Sequence, residues 1–175
     1  MSWIKFFNVP AAVFLTLALS GCFEDVIPLE VGSKAPPIAI TMLSGEPREI
    51  TDHPGKGQIM TFMSSWCPCS NDSIPMMKNA YGLYGQVDEG GGEGKLSFLM
   101  VGIQDPESKY RAFVEKWDIP FPAAYDDGDE IARLYGVKQP PTTIFIDKEG
   151  TVQRVFYGNI KERENEFYQW TEELL

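Results

Sequence analysis

The sequence is short of histidine, cysteine, positive charge and long apolar runs. His53 is its only histidine, in the loop-like run His53-Pro54-Gly55-Lys56-Gly57, and it reads as an exposed loop side chain, not as a ligand or base. Three cysteines in 175 residues are too few for a disulfide scaffold, and a chain of this length can bury a core without staples. Lys and Arg number 15 against 25 Asp and Glu, a formal charge of -10. That balance argues against nucleic acid or an anionic membrane face as the main partner. The longest apolar run, Val9 to Leu19, is too short for a spanning helix, which needs roughly 20 residues. The acid-rich Asp126-Asp127-Gly128-Asp129 lacks the full Ca²⁺-loop pattern and reads as helix caps and solvated surface. No repeat and no second domain is visible, so one α/β domain is expected.

What is present begins with a targeting signal. Lys5 precedes the apolar run, which fits a signal-peptide core. The run ends in Leu19-Ser20-Gly21-Cys22, an aliphatic residue and two small ones before a cysteine. This resembles the bacterial lipoprotein signal, in which that cysteine is lipidated. The organisation expected is a signal at 1–21, a lipidated tether at 22–36 starting at Cys22, and a domain at 37–175. Without residues 1–21, whose only charge is Lys5, the basic count is 14 against 25 acidic residues, or -11. Lipidation consumes Cys22 and leaves Cys67 and Cys69, which export carries into an oxidising compartment.

These two lie in Ser65-Trp66-Cys67-Pro68-Cys69-Ser70, between a β-like run (Gln58 to Met63) and a helical pattern beginning around Ser70. A helix N-terminus carries partial positive charge and unpaired N–H groups, which favour thiolate over thiol. Elsewhere, Ile38 to Met42 and Arg48 to Ile50 flank the turn Ser44-Gly45-Glu46 as a hairpin. Met77, Ala80, Tyr81 and Tyr84 form a helical stripe, in a helix that Pro75 is expected to kink. Leu96 to Ile103 reads as a buried strand, and Asp105-Pro106-Glu107 as an N-cap, N1 and first-turn acid before an amphipathic helix through Trp117. A short helix with Ile131, Leu134 and Tyr135 inward follows. Two strands around Lys148-Glu149-Gly150 come next, then an Asn159/Glu162 capping box opening a helix lined by Phe167, Trp170 and Leu174.

Strand, helix, strand, helix, strand, strand, helix, with cysteines at the first strand-to-helix turn, resembles the thioredoxin fold: a mixed sheet flanked by helices. Three features resemble the extracytoplasmic thioredoxin-like reductases of the TlpA/ResA/CcmG type. They are Thr61-Phe62-Met63-Ser64-Ser65-Trp66-Cys67-Pro68, Pro75, and Val137-Lys138-Gln139-Pro140-Pro141-Thr142-Thr143. The N-terminal hairpin and an inserted strand–helix near 120–136 fit the same family. The resemblance covers residues 33–175. It implies a thiol–disulfide oxidoreductase in which Cys67 is the nucleophile and Pro141 a cis-proline facing the cysteines; Cys69, the other thiol left in the domain, is the candidate partner. Trp66, Pro68, Ser70 and Thr142 then support substrate binding. It implies no cofactor and no metal. The partners implied are protein thiols and disulfides, an upstream membrane or periplasmic thiol donor, and a bacterial membrane reached through the lipid, facing the periplasm or the exterior.

The departure lies in the spacing. The family has Cys-x-x-Cys, and aligning Trp66, Cys67 and Pro75 puts Ser70 at the second cysteine. On a helix, residues i and i+2 differ by about 200° and point apart, so a Cys67–Cys69 disulfide is expected to need a distorted, strained and readily reduced turn. Three mechanisms stay open: such a couple, a monothiol Cys67 with Cys69 as a buried thiol, and a peroxidatic Cys67, since Ser64-x-x-Cys67 resembles the peroxiredoxin core. Outside redox chemistry, two close thiolates suit Cu(I), although Sco-type copper chaperones space their cysteines four apart and add a downstream histidine. The acid that related enzymes place six residues before or after the first cysteine is replaced here by Thr61 and Ser73, and Asp72 is displaced by one.

Overall fold

The computed structural model describes residues 26–50, 55–85 and 94–175; the expected signal segment, Cys22 and His53 lie outside the described residues. β3 (Gly57–Met63) is buried at every position, as the middle strand of a covered sheet must be. The sheet runs β5-β4-β3-β6-β7, with β4 (Leu96–Gly102), β5 (Ala123–Tyr125), β6 (Thr142–Ile146) and β7 (Val152–Tyr157). β3, β4 and β5 are parallel, and β6 and β7 antiparallel to their neighbours. This is a mixed α/β sheet of the thioredoxin type.

Because strand side chains alternate, each strand serves two cores. Ile59, Met63, Phe98, Met100 and Phe145 point to one side. There α1 (Pro68–Ala80) contributes Ile74, Met77 and Ala80, α2 (Glu107–Trp117) Tyr110 and Phe113, and α4 (Glu164–Glu172) Phe167. Met60, Phe62, Leu99, Val101 and Ile144 point to the other. Ile38, Ile40 and Met42 cover them around the hairpin of β1 (Ala39–Thr41) and β2 (Pro47–Glu49), together with Ala132 of α3 (Glu130–Leu134). The hairpin turn needs Gly45, whose φ is +92°.

Several local expectations change. α1 starts at Pro68, two residues earlier than expected, and continues through Pro75 into a π-helical turn, Tyr81–Gly85. Pro106, not Asp105, occupies the N-cap of α2; the Asp105 carboxylate is drawn away by a different donor. The Asp126 carboxylate does cap, accepting from Ile131 N at 3.1 Å and Ala132 N at 2.7 Å. Along α3 and its C-cap, Ile131, Ala132 and Tyr135 face the core, while Leu134 is 51% exposed, because so short a helix buries only one edge. Asn159 caps a 3-10 turn, Ile160–Arg163, that leads into α4.

The expected tether is docked over its later part. Gly32 N donates to Val152 O at 2.8 Å, Ala35 N to Gly150 O at 2.9 Å and Tyr135 Oη to Pro36 O at 2.7 Å. At Gly136 a β-carbon would collide with the backbone of Ile27, Pro28 and Leu29, so a glycine there admits the incoming chain. Residues 27–36 thus run along the domain.

Candidate active site

Sheet topology brings three loops to one place. β3 and β4 are parallel neighbours in register from Gly57↔Leu96 to Met63↔Gly102, so both end at the same rim. β6 runs the other way and begins opposite Phe62, which delivers the preceding loop to that rim. The three segments that meet are Ser64–Cys67, Ile103–Asp105 and Lys138–Pro141.

The first lies along the second through a set of bonds. Ile103 N donates to Met63 O at 3.0 Å, the Ser64 hydroxyl to Ile103 O, Ser65 N to Asp105 Oδ2 at 2.5 Å, and Trp66 Nε1 to Gln104 O at 2.7 Å. This is why Asp105 does not cap α2: its carboxylate holds the backbone of the cysteine loop. Asn71 braces the same loop, donating to Ser65 O at 3.2 Å and Cys67 O at 3.0 Å while accepting from Trp117 Nε1 at 3.1 Å. Gly102 lets α2 approach, since a β-carbon there would run into the Tyr110 ring.

Cys67 is the N-cap of α1, with φ -83° and ψ 119°, and is 7% exposed. Its thiol donates to Pro140 O at 3.7 Å, and the Pro140–Pro141 peptide is cis. Thr142 closes the loop, its hydroxyl donating to Gln139 O at 2.8 Å. Trp66 stands out beside Cys67, 58% exposed, and Pro68 is also exposed. Ser70 is fully buried, its hydroxyl oxygen 3.4 Å from Ser64 N. All the residues predicted for this site except Cys22 therefore meet here, with Ser70 beneath it.

Cys69 is partly exposed, not the buried thiol expected in the monothiol reading. Because Cys67 is extended and outside the helix, the i, i+2 angle does not govern the pair. Both cysteines are free, and α1 runs from Pro68 onward with Cys69 at its second position. Desolvation pushes the Cys69 thiol up, and Cys67, by charge and hydrogen bond, and the carboxylates of Asp72 and Glu162 push it further. Ser73 and Thr61 are buried: the Ser73 hydroxyl donates to Cys69 O at 2.8 Å, and Thr61 pairs with Thr143 at 3.3 Å between hydroxyls. Among the described residues no group of three or more His, Cys, Asp or Glu converges as a metal cage would. The residues missed by sequence reasoning are Gln104, Asp105 and Asn71; their polar types carry no periodic signal and acquire roles only through tertiary contact.

A thioredoxin fold that presents cysteines at the start of the helix after its central strand, facing a cis-proline, defines the class of thiol–disulfide oxidoreductases. Comparison with known proteins agrees. The AhpC/TSA family pattern matches residues 31–155, and the chain belongs to that family. Thiol-disulfide oxidoreductase ResA of a Bacillus cereus strain is 32% identical over 158 residues, 90% of this chain and 86% of that protein. ResA of Geobacillus thermodenitrificans is 31% identical over 139 residues, 79% and 75% of the two chains. Among solved structures, a putative thiol:disulfide interchange protein DsbE from Chlorobium tepidum superposes with a TM-score of 0.72 at 25% identity, over 81% of this chain and 95% of that one. StoA from Bacillus subtilis shares the fold, with a TM-score of 0.62 at 19% identity over 80% and 98%.

Proposed function

We propose that the protein exchanges thiols and disulfides with protein substrates through Cys67, with Cys69 as its resolving partner. The observation that carries this is Cys67 at the N-cap of α1, its sulfur against the carbonyl of the cis-proline loop. The Cys67 thiolate attacks one sulfur of a substrate disulfide; the S–S bond breaks, the other sulfur leaves and takes a proton, and a mixed disulfide forms. Cys69, once deprotonated, attacks Cys67 and expels the second substrate thiol. The substrate is reduced by two electrons, and Cys67–Cys69 becomes a disulfide that an upstream thiol donor reduces. Trp66 supplies an apolar docking face, and Asp72 and Glu162 slow the second step by opposing deprotonation of Cys69.

We further infer an extracytoplasmic, lipid-anchored location. Support comes from Leu19-Ser20-Gly21-Cys22; among the described residues no helix is long and apolar enough to cross a membrane. The peroxidase alternative wants an arginine at the nucleophile; four of the five arginines, Arg111, Arg133, Arg154 and Arg163, bond instead to Leu43 and Glu107, Gly128, Glu173 and Glu166.

Differential alkylation across a series of redox buffers, read by mass spectrometry, tests the mechanism. A reversible Cys67–Cys69 bond is expected. Mixed disulfides at Cys67 alone would leave a monothiol enzyme. No exchange at either thiol, with stoichiometric Cu(I) uptake, would end the enzymatic reading.

A further inference from the structure

Gln104 is exposed, lies in no helix or strand, and has a left-handed backbone (φ +50°) that a residue with a side chain rarely adopts. Three bonds hold it, each to a different part of the site. Its N–H donates to Asp129 Oδ1 at 2.8 Å, in the inserted segment before α3. Its carbonyl accepts from Trp66 Nε1 at 2.7 Å. Its side-chain amide donates to Lys138 O at 2.9 Å, two residues before the cis-proline pair. One residue therefore links the exposed indole beside Cys67 to the loop that faces Cys67.

The chemistry of that loop makes the link consequential. Pro140 and Pro141 have no N–H, so they offer an incoming chain no backbone donor. The carbonyl of Lys138 is taken by Gln104, that of Gln139 by Thr142, and that of Pro140 by the Cys67 thiol. When Cys67 gives up its proton and bonds to a substrate sulfur, the Pro140 carbonyl is released. That carbonyl is then open to the substrate backbone. A peptide takes part of its hold from that bond and part from the Trp66 face, and the two contacts help each other only if their separation is fixed.

We propose that Gln104 is a positioning residue that sets the spacing between Trp66 and the Lys138–Pro141 loop, and so selects extended peptide segments carrying an apolar side chain beside the reactive cysteine. The proposal rests on the thiol–disulfide reading above. Extended substrates fit because the acceptor is a backbone carbonyl in the loop two residues before β6, and the apolar neighbour fits the indole.

Gln104→Gly separates this role from a structural one. Glycine accepts φ +50° at no steric cost and keeps the backbone bonds to Trp66 and Asp129, while the bond to Lys138 disappears. The probe is a leucine-flanked cysteine peptide carried as its mixed disulfide with thionitrobenzoate. Cys67 bonds to the peptide sulfur, the S–S bond breaks, and thionitrobenzoate leaves as a coloured thiolate. With the full chain in detergent, the half-saturating peptide concentration is expected to rise about fivefold while the limiting rate holds within about twofold, as loss of one neutral hydrogen bond that keeps the two docking contacts in register predicts. The melting midpoint is expected at or above that of the native chain. An unchanged half-saturating concentration, a limiting rate that falls in step, or a lowered midpoint would overturn the proposal. If the native chain releases no thionitrobenzoate, the assignment of Cys67 as nucleophile fails, whatever Gln104 does.

Discussion

Cys67 and Cys69 are two residues apart and belong to different parts of the molecule. Cys67 is buried at an N-cap, in a loop held by Asp105, Gln104, Asn71 and the Pro140 carbonyl. Cys69 is half-exposed at the second helical position, where α1 alone fixes it and Asp72 and Glu162 surround it with negative charge. The first sulfur is placed by three loops meeting at a sheet rim, the second by the helical repeat. The nucleophile's position is thus a tertiary property, which a shift of one residue in the partner leaves intact, whereas the partner's ease of deprotonation is local.

The largest break in this comparison is Cys67→Ser. Loss of mixed-disulfide formation by about a thousandfold or more is expected, because Cys69 has no cis-proline carbonyl before it. Trapping with a disulfide peptide and mass spectrometry reads it directly; retention of the reaction at Cys69 would reverse the assignment of roles.

A smaller change sharpens the comparison by moving the second sulfur. Ser70 is at the third helical position, within reach of an N-cap side chain, and it is fully buried. In Cys69→Ser/Ser70→Cys the mixed disulfide is expected to resolve about a hundredfold faster than in Cys69→Ser with millimolar external thiol, since the attacking sulfur is held in place. Stability is expected to fall by about 1 kcal/mol, as Ser64 N loses its hydroxyl acceptor. Stopped-flow resolution and urea melts check the two effects. Equal resolution rates would mean that a thiol in place of the Ser70 hydroxyl cannot reach the N-cap sulfur.

What can be read in the sequence divides along the same line. The apolar, β-like run from Gln58 to Met63 and the helical stripe through Met77 and Ala80 carry local signals of their own, so the strand, the helix and the fold they open are legible. So is the cis-proline, through the likeness of Pro141-Thr142-Thr143 to a family motif. Asp105 misleads because its local context, acid then proline then acid, is that of a helix cap, while its actual donor is Ser65 N, 40 residues away in the chain. The expectation that the two sulfurs point apart applies helical angles to Cys67, which is extended. A cap has to be located to within one residue before such angles apply, and pattern alone does not locate it so closely.

The smallest expected effect concerns the charge around Cys69. Desolvation, Cys67, Asp72 and Glu162 all raise its thiol. A group whose pKa is higher in the folded chain than in the unfolded one contributes stability while it holds its proton and loses it as pH rises. The native chain is therefore expected to weaken as pH climbs past the ordinary thiol range, and Cys69 to react with iodoacetamide only at pH above that of a free cysteine. Glu162→Gln removes a negative charge that is the last and smallest of these causes, and moves the midpoint of Cys69 alkylation downward. The displacement should shrink with added salt, because Glu162 is exposed and its charge is screened. Rates of Cys69 alkylation against pH, at low and high salt, measure this for the native chain and the variant. A midpoint that moves upward, or that ignores the substitution at low salt, would leave desolvation and Cys67 as the groups that keep the second thiol protonated.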